Sequence, residues 1–196
     1  MAFSDNFGNP KGLLGRMMLV FMDKEHKPMA TWALEKIEMP KEGFVLDIGC
    51  GGGYNIKRML KLSENAMFKG IDISKESVRK AKKVNKKNSR VEIIEGTVES
   101  LPFSDDSFDL ITAFETVFFW PNVKENIKEV YRTVKKGGRF IVINNYGDPN
   151  VDWEKKVPCM KRYTKEQIKD LMENANFVNI ELESKDNLFL VSGYKL

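Results

Sequence analysis

The chain is poor in cysteine and histidine and has no long apolar run. Two cysteines and one histidine among 196 residues cannot form a disulfide framework or, alone, a metal site. The sequence leaves one Cys50–Cys159 bridge open, but the position of Cys50 inside a glycine-rich loop favours reduced thiols and a cytoplasmic protein. Arg16 interrupts the most apolar stretch, Gly12–Met22, which is shorter than the ~18 residues of a membrane span. We therefore expect no membrane span, no secretory signal and no metal.

The charges of the two signs are nearly balanced. The chain has 32 lysines and arginines and 28 acidic residues, a net charge of +4. The lysines cluster at 75–87 and 155–169, without the sustained basic stripe that is typical of nucleic-acid binding. An apolar fraction of 42% is enough for a sizeable core. We expect a globular protein, a monomer or a homodimer, without a nucleic-acid partner.

Short apolar segments alternate with helical patterns from residue 44 onward. Nearly continuous apolar strands between helices indicate a parallel sheet that is covered on both faces. The last two strands are too close in sequence for a parallel crossover and should form a hairpin. The sequence thus predicts a doubly wound α/β fold with a seven-stranded, mostly parallel sheet and one antiparallel strand. The predicted strands are Phe44–Ile48, Phe68–Ile73, Val91–Glu95, Phe108–Phe114, Arg139–Asn144, Phe177–Glu183 and Leu188–Tyr194.

The first 38 residues lie outside this strand pattern. Residues 12–38 have helical spacing, and Pro28 is predicted to divide them into two helices. The sequence therefore predicts an N-terminal helical cap, residues 1–38, and an α/β ligand-binding domain, residues 39–196.

A glycine-rich loop, Asp47-Ile48-Gly49-Cys50-Gly51-Gly52-Gly53, follows the first predicted strand. Glycines let the backbone turn sharply and approach a ligand closely, and ligands of open α/β sheets bind beyond the carboxyl ends of the strands. The dinucleotide pattern G-x-G-x-x-G fails because Tyr54 occupies its last position, which disfavours a nicotinamide dehydrogenase. Asp47 would repel a phosphate and suits a cationic ligand, most simply an ammonium group.

A second acid, Asp72, ends the second predicted strand. A carboxylate at this position can accept hydrogen bonds from both hydroxyls of a ribose. The alternative role is a cap for the following helix, for which Ser74 is better placed. The two acids and the glycine loop together predict a site for a positively charged nucleoside.

Five segments, in order, resemble motifs of the class I S-adenosylmethionine-dependent methyltransferases. They are Val45–Gly53, Ile71–Ser74, Gly96–Phe103, Phe108–Ile111 and Val134–Phe140. The chain is most similar to the small-molecule branch that includes ubiquinone- and menaquinone-type C-methyltransferases. The resemblance implies a Rossmann-like domain that uses S-adenosylmethionine to methylate a small molecule.

The resemblance also implies roles for single residues. Asp47 would bind the methionine ammonium, and Asp72 would hold the ribose. Gly49 and Gly51 would pass close to the methionine chain and the ribose. A threonine at position 97, where many relatives have an acid, would be a weaker acceptor for the adenine amino group. The other implied cofactor contacts are Ile73 and Val98 with adenine and Ala113 with the sulfonium.

Methyl transfer from a sulfonium requires few catalytic side chains. The leaving group is a neutral thioether, so no acid is needed to expel it. Positioning and desolvation can supply most of the acceleration, and a base is needed only if the acceptor must lose a proton. Glu115, His26 and Tyr146 are the candidates for proton transfer. A solvated loop acid and a solvated helix residue are the alternatives for the first two.

The acceptor pocket is predicted beside the fourth strand, under the N-terminal segment. Its candidate lining is Arg16, Phe119 and Trp120, and core packing under the N-terminal helices is the alternative for the two aromatic residues. A catalytically silent cofactor-binding module of the same fold is the alternative to an enzyme. Production of S-adenosylhomocysteine distinguishes the two.

Overall fold

The structure, a computed structural model, describes residues 12–147 and 150–196, without the side chains of residues 13–23. The described helices are α1 (Gly12–Leu34), α2 (Tyr54–Met59), α3 (Lys75–Asn85), α4 (Val123–Thr133), α5 (Trp153–Lys156) and α6 (Lys165–Asn174). The described strands are β1 (Phe44–Ile48), β2 (Met67–Asp72), β3 (Val91–Glu95), β4 (Phe108–Phe114), β5 (Val134–Asn145), β6 (Val178–Lys185) and β7 (Leu188–Tyr194). A 3₁₀ turn, Val117–Phe119, follows β4.

The seven strands form one sheet in the order β3-β2-β1-β4-β5-β7-β6. The pairs among β1 to β5 are parallel, and β7 runs antiparallel to both of its neighbours. The predicted fold class is therefore confirmed, including the terminal hairpin. The strand order reverses at β1, so the loops after β1, β2 and β4 gather at one edge, where open α/β sheets bind ligands.

Two apolar layers cover the two faces of the sheet. Alternate residues of β5 show the division, because successive side chains of a strand point to opposite faces. Phe140 and Val142 pack in the cluster that contains the buried residues of α4 and α6. Ile141 and Ile143 pack in the other cluster, with the buried residues of α1, α2 and α3. The sheet is thus buried on both sides, as parallel sheets are.

Helix α1 is continuous through Pro28, so the prediction of two helices is wrong. A proline inside a helix loses one backbone hydrogen bond and costs about 3 kcal/mol. The turn after Pro28 compensates for this cost by burying Met29, Trp32 and Ala33 against the sheet. Packing of an apolar face can thus outweigh the local preference against an internal proline.

Residues 29–39 are packed into the domain itself. Met29, Trp32, Ile37 and Met39 are buried in the same apolar cluster as Phe68 of β2. The division at residue 38 into a cap and a domain stays a prediction. Among the described helices, none combines the length and apolar character that a bilayer crossing requires.

Strand β5 begins five residues earlier than predicted. The sequence placed Gly137 and Gly138 in a turn before the strand, whereas both lie within it. The register to β4 shifts between Phe108 and Leu110, which is the signature of a bulge. Gly137 has φ +77°, and a Cβ atom at Gly138 would lie 2.9 Å from the carbonyl oxygen of Phe108. The two glycines therefore allow an irregular strand, not a turn.

Candidate active site

Asp47 lies near the carboxyl end of β1 with 2% of its surface exposed. Its Oδ1 accepts a hydrogen bond of 2.8 Å from Oγ1 of Thr112, its register partner on β4. Burial raises the pKa of Asp47 from 3.8 to about 7, the bond from Thr112 opposes this shift, and the negative charge of Asp72 adds to it. The Asp47 carboxyl is therefore close to half-protonated at neutral pH, and a bound cation would favour its charged form.

The loop after β1 turns through three glycines with left-handed backbones. Gly49, Gly51 and Gly53 have φ angles of +70°, +51° and +73°. A Cβ atom at Gly49 would overlap the Thr116 side chain, so this glycine lets the loop lie against the end of β4. A Cβ atom at Gly51 would meet no atom within 4 Å. The Gly51 backbone therefore faces open space, as close approach by a ligand requires.

Asp72 connects the glycine loop to the start of α3. Its Oδ2 accepts the Gly51 N–H and its Oδ1 accepts the Ser74 N–H, each at 2.8 Å. Burial raises the pKa of Asp72, and these two backbone bonds oppose the shift. Ser74 is the N-cap of α3 and accepts the Ser77 N–H at 3.3 Å, so Asp72 is not needed for that role. A carboxylate has about four acceptor positions, so two remain for a ribose.

The residues expected to contact adenine follow β2 and β3. Ile73 is 52% exposed beside Asp72, an apolar surface on which a ring could stack. The N–H of Gly96 donates to the Asp72 carbonyl at 3.1 Å, which brings Thr97 and Val98 to the same edge. Thr97 Oγ1 donates to Glu99 at 3.2 Å and accepts the Glu99 N–H at 3.3 Å. The Thr97 hydroxyl is thus already engaged within its own loop.

Glu115 follows β4 immediately after Ala113 and Phe114. Its backbone is left-handed, with φ +55°, and its N–H donates to the Ile143 carbonyl of β5 at 2.9 Å. Its Oε1 accepts the backbone N–H of Asn145. Burial raises the pKa of Glu115 from 4.5 to about 8, although the bond from Asn145 opposes the shift. Glu115 is therefore not a solvated loop acid. It is a half-buried carboxyl group, bonded to the backbone of β5, whose pKa is raised.

Asn144, on β5, is a polar residue that the sequence analysis did not select. It is 0% exposed, and neither its side-chain oxygen nor its nitrogen has a hydrogen-bond partner among the described residues. A buried, unpaired amide costs about 1–3 kcal/mol, so this side chain is a candidate for a polar partner other than the described residues. The available signal was a pair of asparagines, Asn144 and Asn145, directly after the apolar run Phe140–Ile143.

The aromatic residues after β4 lie mainly in the core. Trp120 is 6% exposed and stacks on Phe140, with 6.4 Å between ring centroids. Phe119 is partly buried against the same cluster, on the α4 and α6 face. Core packing therefore occurs, but on the face of the sheet opposite to α1. A pocket role for Phe119 and Trp120 stays a prediction.

Tyr146 lines an open cavity of about 330 Å³ just beyond β5. Its hydroxyl accepts the backbone N–H of Lys165 at 2.9 Å, and its carbonyl accepts a bond from the Arg162 guanidinium. Burial raises the pKa of the Tyr146 hydroxyl, so it stays protonated near neutral pH. The other lining residues are Asp152, Trp153, Glu154, Arg162, Tyr163, Thr164 and Gln167.

The remaining candidates belong to α1. His26 is partly buried on this helix, and the side chain of Arg16 lies outside the described residues. Both cysteines are free, with Cys50 buried and Cys159 exposed. The described residues contain no group of three or more side chains that could hold a metal ion.

The chain is similar to known methyltransferases over most of this architecture. A family described as a methyltransferase domain matches residues 46–142. The uncharacterized methyltransferase YdaC of Bacillus subtilis is 25% identical over 166 residues, which are 84% of this chain and 88% of that protein. Demethylmenaquinone methyltransferase of Bacillus licheniformis is 30% identical over 129 residues, which are 65% of this chain and 56% of that protein.

A solved structure shows the same fold. Phosphoethanolamine N-methyltransferase 2 of Haemonchus contortus, in complex with S-adenosyl-L-methionine, matches 100% of this chain and 60% of its own, with a TM-score of 0.80 and 14% identity. At this identity the similarity shows the fold alone. By the methyltransferase-domain match and the methyltransferase relatives, the chain belongs to the class I S-adenosylmethionine-dependent methyltransferases.

Proposed function

We propose that the chain methylates a small organic acceptor that binds beside the carboxyl ends of β4 and β5. The supporting observation is the placement of three carboxyl groups, the buried Asp72 and Asp47 and the half-buried Glu115, at the ends of the adjacent strands β2, β1 and β4. The first two acids suit the ribose and the ammonium of S-adenosylmethionine. The third lies one strand further along, where an acceptor would meet the methyl group.

The described residues fit this cofactor. Asp72 has acceptor positions left for the ribose hydroxyls, and Gly51 offers a backbone that a ligand can approach. Ile73 would pack on the adenine and the Val98 N–H would donate to it, while Thr97 would contribute less because its hydroxyl is bound to Glu99. Ala113 would lie beside the sulfonium. S-adenosylmethionine supplies the methyl group and its neutral thioether leaving group.

The reaction forms one bond from the acceptor atom to the methyl carbon and breaks the bond from this carbon to sulfur. The sulfur keeps the electron pair of the broken bond, and an acceptor such as a hydroxyl or an activated ring carbon loses one proton. We propose that Glu115 takes this proton, because it is the carboxyl group nearest in sequence and strand order to the end of β4 and is only half-buried, so an acceptor can reach it. Tyr146 and His26 are the further candidates, and Arg16, Phe119 and Trp120 the proposed pocket lining.

A small acceptor is favoured by the relatives that match most of the domain. One of them is named a demethylmenaquinone methyltransferase, and the chain spans 56% of its length. The experiment is incubation of the purified protein with S-adenosylmethionine and pools of phenolic, quinol and amine metabolites, with S-adenosylhomocysteine as the readout. We expect release that depends on one pool. Cofactor binding without release in any pool would support a silent binding module instead.

A further inference from the structure

The excess of positive over negative charge lies in one short segment of the chain. Residues 54–87 contain eleven lysines and arginines and three acidic residues, a net charge of +8, whereas the whole chain carries +4. The other residues together are therefore negative. The segment contains α2, β2 and α3, and its two helices pack on the same face of the sheet.

Helix α3 directs its positive charges to solvent. Its buried residues, Ser77, Val78, Ala81 and Asn85, form one stripe against the sheet. Every exposed residue of the helix is a lysine or an arginine, and two more exposed lysines follow its end. These residues are Lys75, Arg79, Lys82, Lys83, Lys86 and Lys87. The sequence shows the cluster of lysines, and the helix gathers them on the side opposite the buried stripe.

The charges of this surface are mostly not neutralised. Arg79 forms an ion pair with Glu76, and within the described residues no ion pair involves the exposed lysines of α3. Helix α2 adds exposed Lys57, followed by Lys61. The Lys80 Nζ lies 5.7 Å from the centre of the Tyr54 ring, which places the start of α2 beside the middle of α3. We call Lys57, Lys61, Lys75, Arg79, Lys82, Lys83, Lys86 and Lys87 the basic face.

We propose that the basic face binds a membrane surface that is rich in anionic lipids. A row of lysines along a helix matches the diffuse negative charge of a bilayer, in which each basic residue contributes independently. Leu62, next to Lys61 and 51% exposed, supplies an apolar side chain of the kind that enters a bilayer interface. Nucleic-acid recognition is less well matched, because it typically adds arginine forks and stacking rings, and the face has one arginine.

The orientation of the helices is compatible with catalysis at the membrane. Helix α2 begins directly after the glycine loop and α3 directly after Ser74, so both helices run away from the proposed cofactor edge. A bilayer along their exposed sides would leave that edge uncovered. The inference does not depend on the acceptor or on methyl transfer.

The test is co-sedimentation of the protein with vesicles, without methyl donor or acceptor. We expect binding to vesicles of phosphatidylglycerol and phosphatidylcholine, weaker binding at higher salt, and no binding to phosphatidylcholine alone. The variant Lys75→Glu/Lys82→Glu/Lys83→Glu/Lys86→Glu should bind anionic vesicles at least about tenfold more weakly. Its folding is checked by its thermal unfolding midpoint, and the same four positions changed to glutamine provide a second variant.

The matched control is Lys124→Glu/Lys136→Glu/Lys155→Glu/Lys185→Glu, four exposed lysines elsewhere. This control and the four-glutamate variant of the basic face both change the net charge from +4 to −4, so only the position of the change differs between them. Equal losses in the two variants, or no binding of the unmodified protein to anionic vesicles, would overturn the proposal. Binding to duplex RNA or DNA without binding to vesicles would also overturn it. None of these outcomes bears on methyl transfer, which is assayed separately.

Discussion

The carboxylate of Asp72 accepts the backbone N–H of Gly51 at 2.8 Å, across 21 positions of sequence. This bond joins the glycine loop after β1 to the end of β2. The second oxygen of the same carboxylate accepts the Ser74 N–H. One side chain therefore holds the loop in place and offers its remaining acceptor positions to the proposed ribose.

Asp72→Ala should weaken the affinity for S-adenosylmethionine by more than about tenfold. The change removes charge-assisted hydrogen bonds that contribute roughly 1.5–3 kcal/mol each before compensation, and it also frees the glycine loop. Isothermal titration calorimetry measures the effect. Asp170→Ala, at an exposed acid of α6, is the control and should bind normally. Unchanged affinity in the Asp72 variant would refute the ribose assignment.

Gly51→Ala should fold but lose affinity for the cofactor. The new Cβ meets no protein atom, so its cost to folding is only the left-handed backbone, about 1 kcal/mol. Gly137→Ala is the matched control, because Gly137 also has a positive φ and open surroundings but lies away from the site. Similar unfolding midpoints with a loss of binding only at position 51 are expected. Normal binding by Gly51→Ala would show that the cofactor does not approach there.

Asp47→Asn should stabilise the protein at alkaline pH while weakening cofactor binding. The folded state keeps a proton on Asp47 up to about pH 7, whereas the unfolded chain releases it near 3.8. At any pH between 3.8 and about 7, unfolding therefore releases a proton from Asp47. The free energy of unfolding falls as the pH rises through this range. Asparagine can still accept the bond from Thr112 and does not ionise.

The measurement is urea unfolding of both proteins at about pH 5 and about pH 8. The stability gain of Asp47→Asn should be larger at the higher pH, on the order of 2–4 kcal/mol. The affinity of the unmodified protein for S-adenosylmethionine should rise over the same range, as Asp47 becomes charged. A gain that is independent of pH would mean that the Asp47 carboxyl ionises normally in the folded protein.

Glu115 should give the reaction a dependence on pH once an acceptor is known. As a base it must be deprotonated, so kcat/KM should rise with pH and level off above about 8. Glu115→Gln keeps an oxygen for the Asn145 N–H and should lose about 10²–10⁴-fold in kcat with little change in cofactor affinity. If Glu115→Gln keeps full activity and the original pH profile, Glu115 is not the base. Catalysis would then rest on the positioning of cofactor and acceptor.

The amino-acid sequence by itself determined the seven strands and their succession, because apolar runs and the glycine loop are local patterns. It also located Asp47 and Asp72, since acids at strand ends beside glycines are readable along the chain. Tertiary structure alone decided that α1 continues through Pro28, that Thr112 binds Asp47, and that Trp120 packs against Phe140. These outcomes depend on burial and on contacts between distant residues. The same cause raises the pKa of Glu115, because desolvation follows from the atoms that surround a carboxyl group and not from its neighbours in sequence.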